Sequence, residues 1–212
     1  MRSPFRFGGY RRYNLEMAGK ADVVATWVGA LTRGGLLFTN TEERGVRMAV
    51  VLVGERRLAE LREWFLPLSV ATRLEIREAA ISFCLHFFCA DRVCSTEEVA
   101  FLEQVFDSCD LPLAERRQYY ALLRAALVDV RKLPHAETIA EICCHPVLRE
   151  ILLAIGWHIA LGDRELSAPE EKLWLRLARL FSIPEQRAHE LAATIEAYGE
   201  GRPSAKDAPV GE

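Results

Sequence analysis

From residue 71 onward, apolar side chains recur at the three- and four-residue spacing of helices, and the whole pattern then comes round again 72 residues later. In the first copy, Leu74, Ala80, Ile81, Phe83, Cys84, Leu85 and Phe88 give a wide apolar surface, which predicts a helix running to Ala90 in the middle of a bundle. Asp91 to Ser95 is a turn. A second helix follows over Thr96 to Ser108, with Val99, Leu102, Val105, Phe106 and Cys109 inward. Pro112 opens a third helix that continues to Val130. The second copy has a central helix over 147–161, a turn at Asp163, a helix over 168–181 and a last helix over 184–198. Between residues 77 and 112, eight residues are identical at the 72-residue offset: Arg77, Glu78, His86, Asp91, Arg92, Ser95, Glu98 and Pro112 return as Arg149, Glu150, His158, Asp163, Arg164, Ser167, Glu170 and Pro184. Average residue usage would give about two or three over such a span. Apolar positions match too, for example Ile81 with Leu153, Val105 with Leu177 and Leu111 with Ile183. No strand alternation persists in either copy. The expected fold is all-α: a compact bundle of two pseudo-symmetric helical units, about 71–130 and 138–198, within a domain spanning 70–198 and linked through Arg131 to His135.

The flanks carry weaker patterns. Residues 21–69 are expected to form a partly helical N-terminal extension. Val24, Trp27, Val28 and Leu31 have helical spacing that Gly34-Gly35 stops, and Met48 to Val53 fits either a short strand or a buried helical turn. Leu58, Leu61, Trp64, Phe65 and Leu68 predict a helix over 56–66, ended by Pro67. Residues 1–20 interleave Arg2, Arg6, Arg11, Arg12 and Lys20 with Phe5, Phe7, Tyr10 and Tyr13; they read as a flexible basic-aromatic arm, or as sequence ahead of a start at Met17. Residues 199–212, rich in Gly, Pro, Ser and charge, are expected to be a disordered tail.

A formal net charge of −3 removes any global pull toward nucleic acid, and no nucleic-acid partner is expected. The six cysteines (Cys84, Cys89, Cys94, Cys109, Cys143 and Cys144) sit mostly in apolar runs without the spacing of a secreted framework, which points to a reduced, cytoplasmic protein. The longest apolar runs, Phe83 to Phe88 and Met48 to Val53, are too short to span a bilayer, so no transmembrane segment is expected. There is no basic, apolar and small-residue leader pattern at the start.

Each unit carries Asp-Arg-x-x-Ser-x-x-Glu where its central helix ends. Ser three residues before Glu, ahead of an apolar helix, is a capping box: the Ser side chain accepts from the third helical N–H and the Glu reaches back to the cap N–H. Capping accounts for Ser95, Glu98, Ser167 and Glu170, and Pro169 fits the first turn of the second helix. It does not account for Asp91 and Asp163. Asp and Glu together could hold a hard divalent cation through oxygen ligands, although each loop offers few carboxylates, an Arg adjoins each Asp, and neither loop has an EF-hand ladder.

The Asp-x-x-x-Ser-x-x-Glu turn after a buried helix, placed twice in a helical chain, resembles the tellurite-resistance TerB family over about residues 71–198. The resemblance implies a compact all-helical fold and a non-enzymatic stress-response scaffold or sensor with protein partners, membrane-associated ones among them. It also implies metal-linked acids at Asp91, Glu98, Asp163 and Glu170, with Glu97 and Glu171 as auxiliaries and Ca²⁺ or Mg²⁺ as the cation. The family usually has Gly after the Asp, where this chain has Arg92 and Arg164. An ion-free protein-interaction module on the same fold is the alternative.

Three other groupings are weaker. Glu78, His86, Glu150 and His158 lie on the two central helices and would make a metalloenzyme centre if they converged, but the Glu-x-x-His spacing of di-iron bundles is missing; ordinary hydrogen-bonded histidines at a helix crossing are the expectation. Cys143, Cys144, His145 and His135 lack paired zinc-ligand spacing and read as packing. Arg116-Arg117 with Tyr119-Tyr120 reads as a solvated face.

Overall fold

The computed structural model describes residues 44–92, 96–108, 111–161 and 167–199. The described residues form nine α-helices and no strand: α1 (Arg44–Val53), α2 (Glu55–Phe65), α3 (Val70–Phe88), α4 (Thr96–Ser108), α5 (Leu113–Val128), a 3-10 turn (Val130–Lys132), α6 (Ala136–Ile142), α7 (Pro146–Ala160), α8 (Ala168–Leu180) and α9 (Glu185–Gly199). The all-helical expectation is met. Residues 1–43, where the basic-aromatic arm and the Val24–Leu31 periodicity lie, and the tail from 200 onward are outside the described residues.

Met48 to Val53 is helical rather than extended. Met48, Ala49, Leu52 and Val53 all bury, at the spacing of one helical stripe, and Gly54 at φ 82° breaks α1 from α2. A strand there would have divided these four residues between two faces. The helix predicted over 56–66 is α2, with Leu58, Leu61 and Phe65 buried. Helix α6 follows directly on the link assigned to Arg131–His135. At seven residues it is too short for its buried Ala136, Ile139 and Ala140 to show as a period.

Two central helices carry the core. On α7, every residue from Val147 to Ala160 except Arg149 is buried. On α3, burial is continuous from Ala79 to Phe88 apart from His86, which is half-buried. They pack against each other, and the rest is arranged around them in pseudo-twofold fashion: α2, which leads into α3, packs on α7, while α6, which leads into α7, packs on α3. Where they meet, Gly156 lies against the Phe87 and Phe83 rings; a Cβ at 156 would overlap carbons of the Phe87 ring. Phe83 in turn stacks on Phe181, with ring centroids 5.6 Å apart.

The ends of α4 and α8 show the repeat in backbone detail. Ile183 N–H donates to Ala178 O (2.9 Å) and Ser182 N–H to Arg179 O (3.0 Å), with Ser182 at φ 58°. That is a Schellman termination with a serine in the left-handed position usually held by glycine. Leu111 N–H donates to Phe106 O (3.0 Å), the bond at the matching place of the first unit.

Gly156→Ala tests the crossing. Alanine in a helix interior normally stabilises by about 1 kcal/mol over glycine. Here the methyl group must displace buried rings, and overpacking is expected to destabilise the fold by about 1–3 kcal/mol. Chemical denaturation of the purified protein reads the sign directly.

Candidate functional site

The chain carries its acidic turn twice, once in each unit. Asp91 is exposed in the bend after α3, and Arg92 beside it adopts φ 65°, its N–H donating to Cys89 O (3.3 Å). This is left-handed backbone that disfavours a residue bearing a Cβ. The turn thus keeps the conformation glycine would adopt most readily, with arginine in it. Glu97 and Glu98 lie in the first turn of α4, whereas Ser95, the cap expected for that helix, is outside the described residues. In the second unit the capping box is complete: Glu170 N–H donates to Ser167 Oγ (3.4 Å) and Ser167 N–H to Glu170 Oε2 (2.9 Å), with Pro169 in the first turn. One Glu170 carboxylate oxygen is therefore committed to its own helix start. Glu171 is exposed in the same turn. Asp163 and Arg164 are outside the described residues. Among the described residues, no three His, Cys, Asp or Glu side chains gather closely enough to hold a metal ion.

The buried polar groups of the central helices do not converge. Glu150 is buried on α7 and gripped from two sides. Arg57 of α2 makes a two-pronged pair with it (Nη1 to Oε2 2.9 Å, Nη2 to Oε1 2.6 Å), and Arg187 of α9 donates Nε (3.0 Å) and Nη2 (2.7 Å) to Oε2. Burial pushes the Glu150 carboxyl up, but the bonds from Arg57 and then Arg187 outweigh it and hold the group below its ordinary range. His86 shares its Nε2 with Pro134 O (2.9 Å), and burial, the largest influence, lowers its pKa in spite of that bond. Burial pushes the Cys143 thiol up to about 12, so it is no thiolate ligand at neutral pH. Neighbouring His145 caps α7, with Nδ1 accepting from Val147 N–H (3.3 Å), and packs on Trp64 at a 5.0 Å centroid distance. His86 and His145 thus each make a structural contact, whereas Cys144 and His135 are exposed. The face at Arg116 and Tyr119-Tyr120 is not simply solvated, however. Arg116 bridges Glu103 and Asp107 and donates to Leu111 O (2.8 Å), and both tyrosines are half-buried against Phe106 with centroids 5.6 Å away.

The sequence profile of the family described as Tellurite resistance protein TerB matches residues 77–193, more than half of the 212-residue chain. The chain belongs to the TerB family. No curated protein and no solved structure matches it. The matched span begins at Arg77 of the first repeated Arg-Glu pair and takes in both units.

Within this TerB domain the two Arg-Glu pairs have parted company. Arg149 reaches back to close helix ends, donating to Cys143 O (2.9 Å) and Ala140 O (2.6 Å) beyond and within α6, and to Phe181 O (3.4 Å) at the end of α8. Its counterpart Arg77 instead pairs with Glu115 of α5 (2.7 Å), and its buried Nε has no hydrogen-bond partner among the described residues. Glu150 is enclosed, whereas Glu78 is exposed. The place 72 residues before Arg187 is Glu115, so the charge at this position of the third helix is reversed between units. A cleft of about 690 Å³ lies here between α3, α5 and α6, floored by Ala79, Tyr119, Leu122, Ile139 and Ile142 and edged by Glu75, Glu78 and the Arg77–Glu115 pair. The sequence pattern did not disclose it, since one wall is the short helix α6; the only signal was the Glu-for-Arg change at 115.

Two outcomes follow. Arg92→Gly should relieve the left-handed backbone and raise stability by up to about 1 kcal/mol, measured by thermal or urea unfolding. Glu150→Ala should cost about 3 kcal/mol, because it strands two arginines in a partly buried site. Since the folded carboxyl titrates below its ordinary 4.5, its contribution is complete above that pH and fades as pH falls through the lowered folded value. Unfolding free energies measured from pH 7 down to 3 should therefore show a shallower acid loss in Glu150→Gln than in the parent.

Proposed function

We propose that this TerB-family protein is a non-enzymatic, cytoplasmic stress-response scaffold that works by binding other proteins. The observation that carries this is the contrast between the two units. In the second, the buried charges are compensated from within the chain: Glu150 has Arg57 and Arg187, and Arg149 has three carbonyls. In the first, the matching corner is an open, partly apolar cleft edged by carboxylates. Exposed apolar surface with a polar rim is the usual mark of a protein contact. Glu150 and His86 on the central helices are occupied in structural contacts. Membrane-associated partners are compatible with this role; no described helix is long and apolar enough to cross a membrane itself.

A cation-dependent form of the same role rests on Asp91, Glu98, Asp163 and Glu170. It is favoured by the retained left-handed turn beside Asp91, which preserves the local backbone despite the Arg. It disfavours strong binding that Glu170 already serves its helix start.

Cross-linking in the native host under tellurite stress, followed by mass spectrometry, tests the scaffold. Specific, reproducible partner cross-links are expected; a chain that is never cross-linked to another protein, and whose deletion leaves stress survival unchanged, would sink the proposal. Calorimetry with Ca²⁺ and Mg²⁺ separates the two forms. Heat and a thermal shift that vanish in the Asp91→Asn, Asp163→Asn double variant support the cation-dependent one; their absence leaves the ion-free module.

A further inference from the structure

The structure assigns the cleft between α3, α5 and α6 to one kind of occupant: an amphipathic helix of a partner protein, with Lys or Arg flanking its apolar stripe. The assignment rests on the scaffold reading and makes it specific. It comes from the chain's own second unit, where the corresponding surface is covered. There α9 packs directly on α7, and α1 lies over both, burying Met48, Ala49, Leu52 and Val53. At that corner Arg187 Nη2 donates to Leu52 O (2.7 Å), a carbonyl of the last turn of α1, while Arg57 and Arg187 together neutralise Glu150.

In the first unit each of those provisions is missing. α5 stands off from α3 across the cleft, bridged by the Arg77–Glu115 pair. No helix lies over it among the described residues. Among the described residues, neither Glu78, the counterpart of Glu150, nor Glu75 one turn away on the same helix pairs with a cation. The residue that would have supplied the cation from the third helix is Glu115 instead of arginine. Arg77 Nε is buried and has no acceptor among the described residues. A bound helix would restore the cover and the cations: its apolar stripe on Ala79, Tyr119, Leu122 and Ile142, and basic side chains against Glu75 and Glu78. Three carboxylates against one guanidinium at the rim select a basic helix over an acidic one. The mode is a helix laid in a groove.

The test uses the full chain and two fluorescein-labelled synthetic 16-residue helices. They share apolar residues at i, i+3, i+4 and i+7; one carries Lys and Arg on both flanks, the other Glu. Fluorescence anisotropy should show the basic helix binding at least tenfold more tightly than the acidic one, and the preference should weaken as salt is raised. Glu75→Arg with Glu78→Arg alters two exposed side chains, so the variant should fold with an unchanged circular-dichroism melt and should lose or reverse the preference. A benzophenone on the basic helix should cross-link to α3, α5 or α6. Equal binding of both helices, binding indifferent to the charge reversal, cross-links elsewhere, or no binding by the folded protein overturns the assignment. A concentration-dependent dimer abolished by the same double variant would give the cleft to a second copy. Tighter peptide binding in Trp27→Glu would give it to the chain's own N-terminal segment. Either result overturns the partner assignment. Partners cross-linked in the host only outside the cleft would remove this inference and leave the scaffold standing.

Discussion

The close approach of α3 and α7 at Gly156 is the contact on which the other helices depend. A residue without a side chain lets the Phe87 and Phe83 rings lie directly on the α7 backbone, and α7 can then be buried nearly all round. A helix hydrophobic on every side has no stability of its own in water; it needs neighbours on each face. Helices α2, α8, α9 and α1 supply them on one central helix, and α6 and α7 on the other. The short helices are therefore consequences of the crossing, each covering a face of the opposite unit's central helix.

Electrostatics then distinguishes the two halves. A buried carboxylate in a helical core is tolerated only with full compensation, and Glu150 obtains it from two arginines on separate helices, one of them preceding the repeat. Because Arg57 belongs to α2 and Leu52 to α1, the same cluster ties the N-terminal helices to α7 and α9. The first unit, with Glu115 in place of an arginine, recruits Arg77 instead, and no described helix covers the cleft beside it. One reversed charge thus separates a half whose buried carboxylate is enclosed by two arginines from a half whose matching carboxylate is exposed.

The sequence made the architecture legible because long amphipathic helices announce themselves. The central helices, α4, α5, α8 and α9 were all readable, and the capping box at Ser167 and Glu170 was readable down to its hydrogen bonds. Shorter pieces were not. Residues 48–53 fitted two kinds of element until their burial against α7 and α9 decided it, and α6 buries three residues in two turns, too few for a period to emerge. The cleft was hidden for a different reason. It is a property of spacing between helices, which periodicity within a helix does not encode. The departure from Gly at Arg92 was visible in sequence, but that the backbone would stay left-handed regardless could not be inferred from residue types.

Gly156 has a further implication for how far the duplication can be taken literally. Its partner by the 72-residue offset is Cys84, fully buried on α3. The two central helices therefore meet with unlike residues at matched places, a bare backbone on one side and bulky rings on the other. A protein made of two first units would bring a side chain to 156, against Phe87. One made of two second units would have Ile159 where Phe87 stands and no ring to fill the space above the glycine. At this crossing the two halves are complementary and not interchangeable.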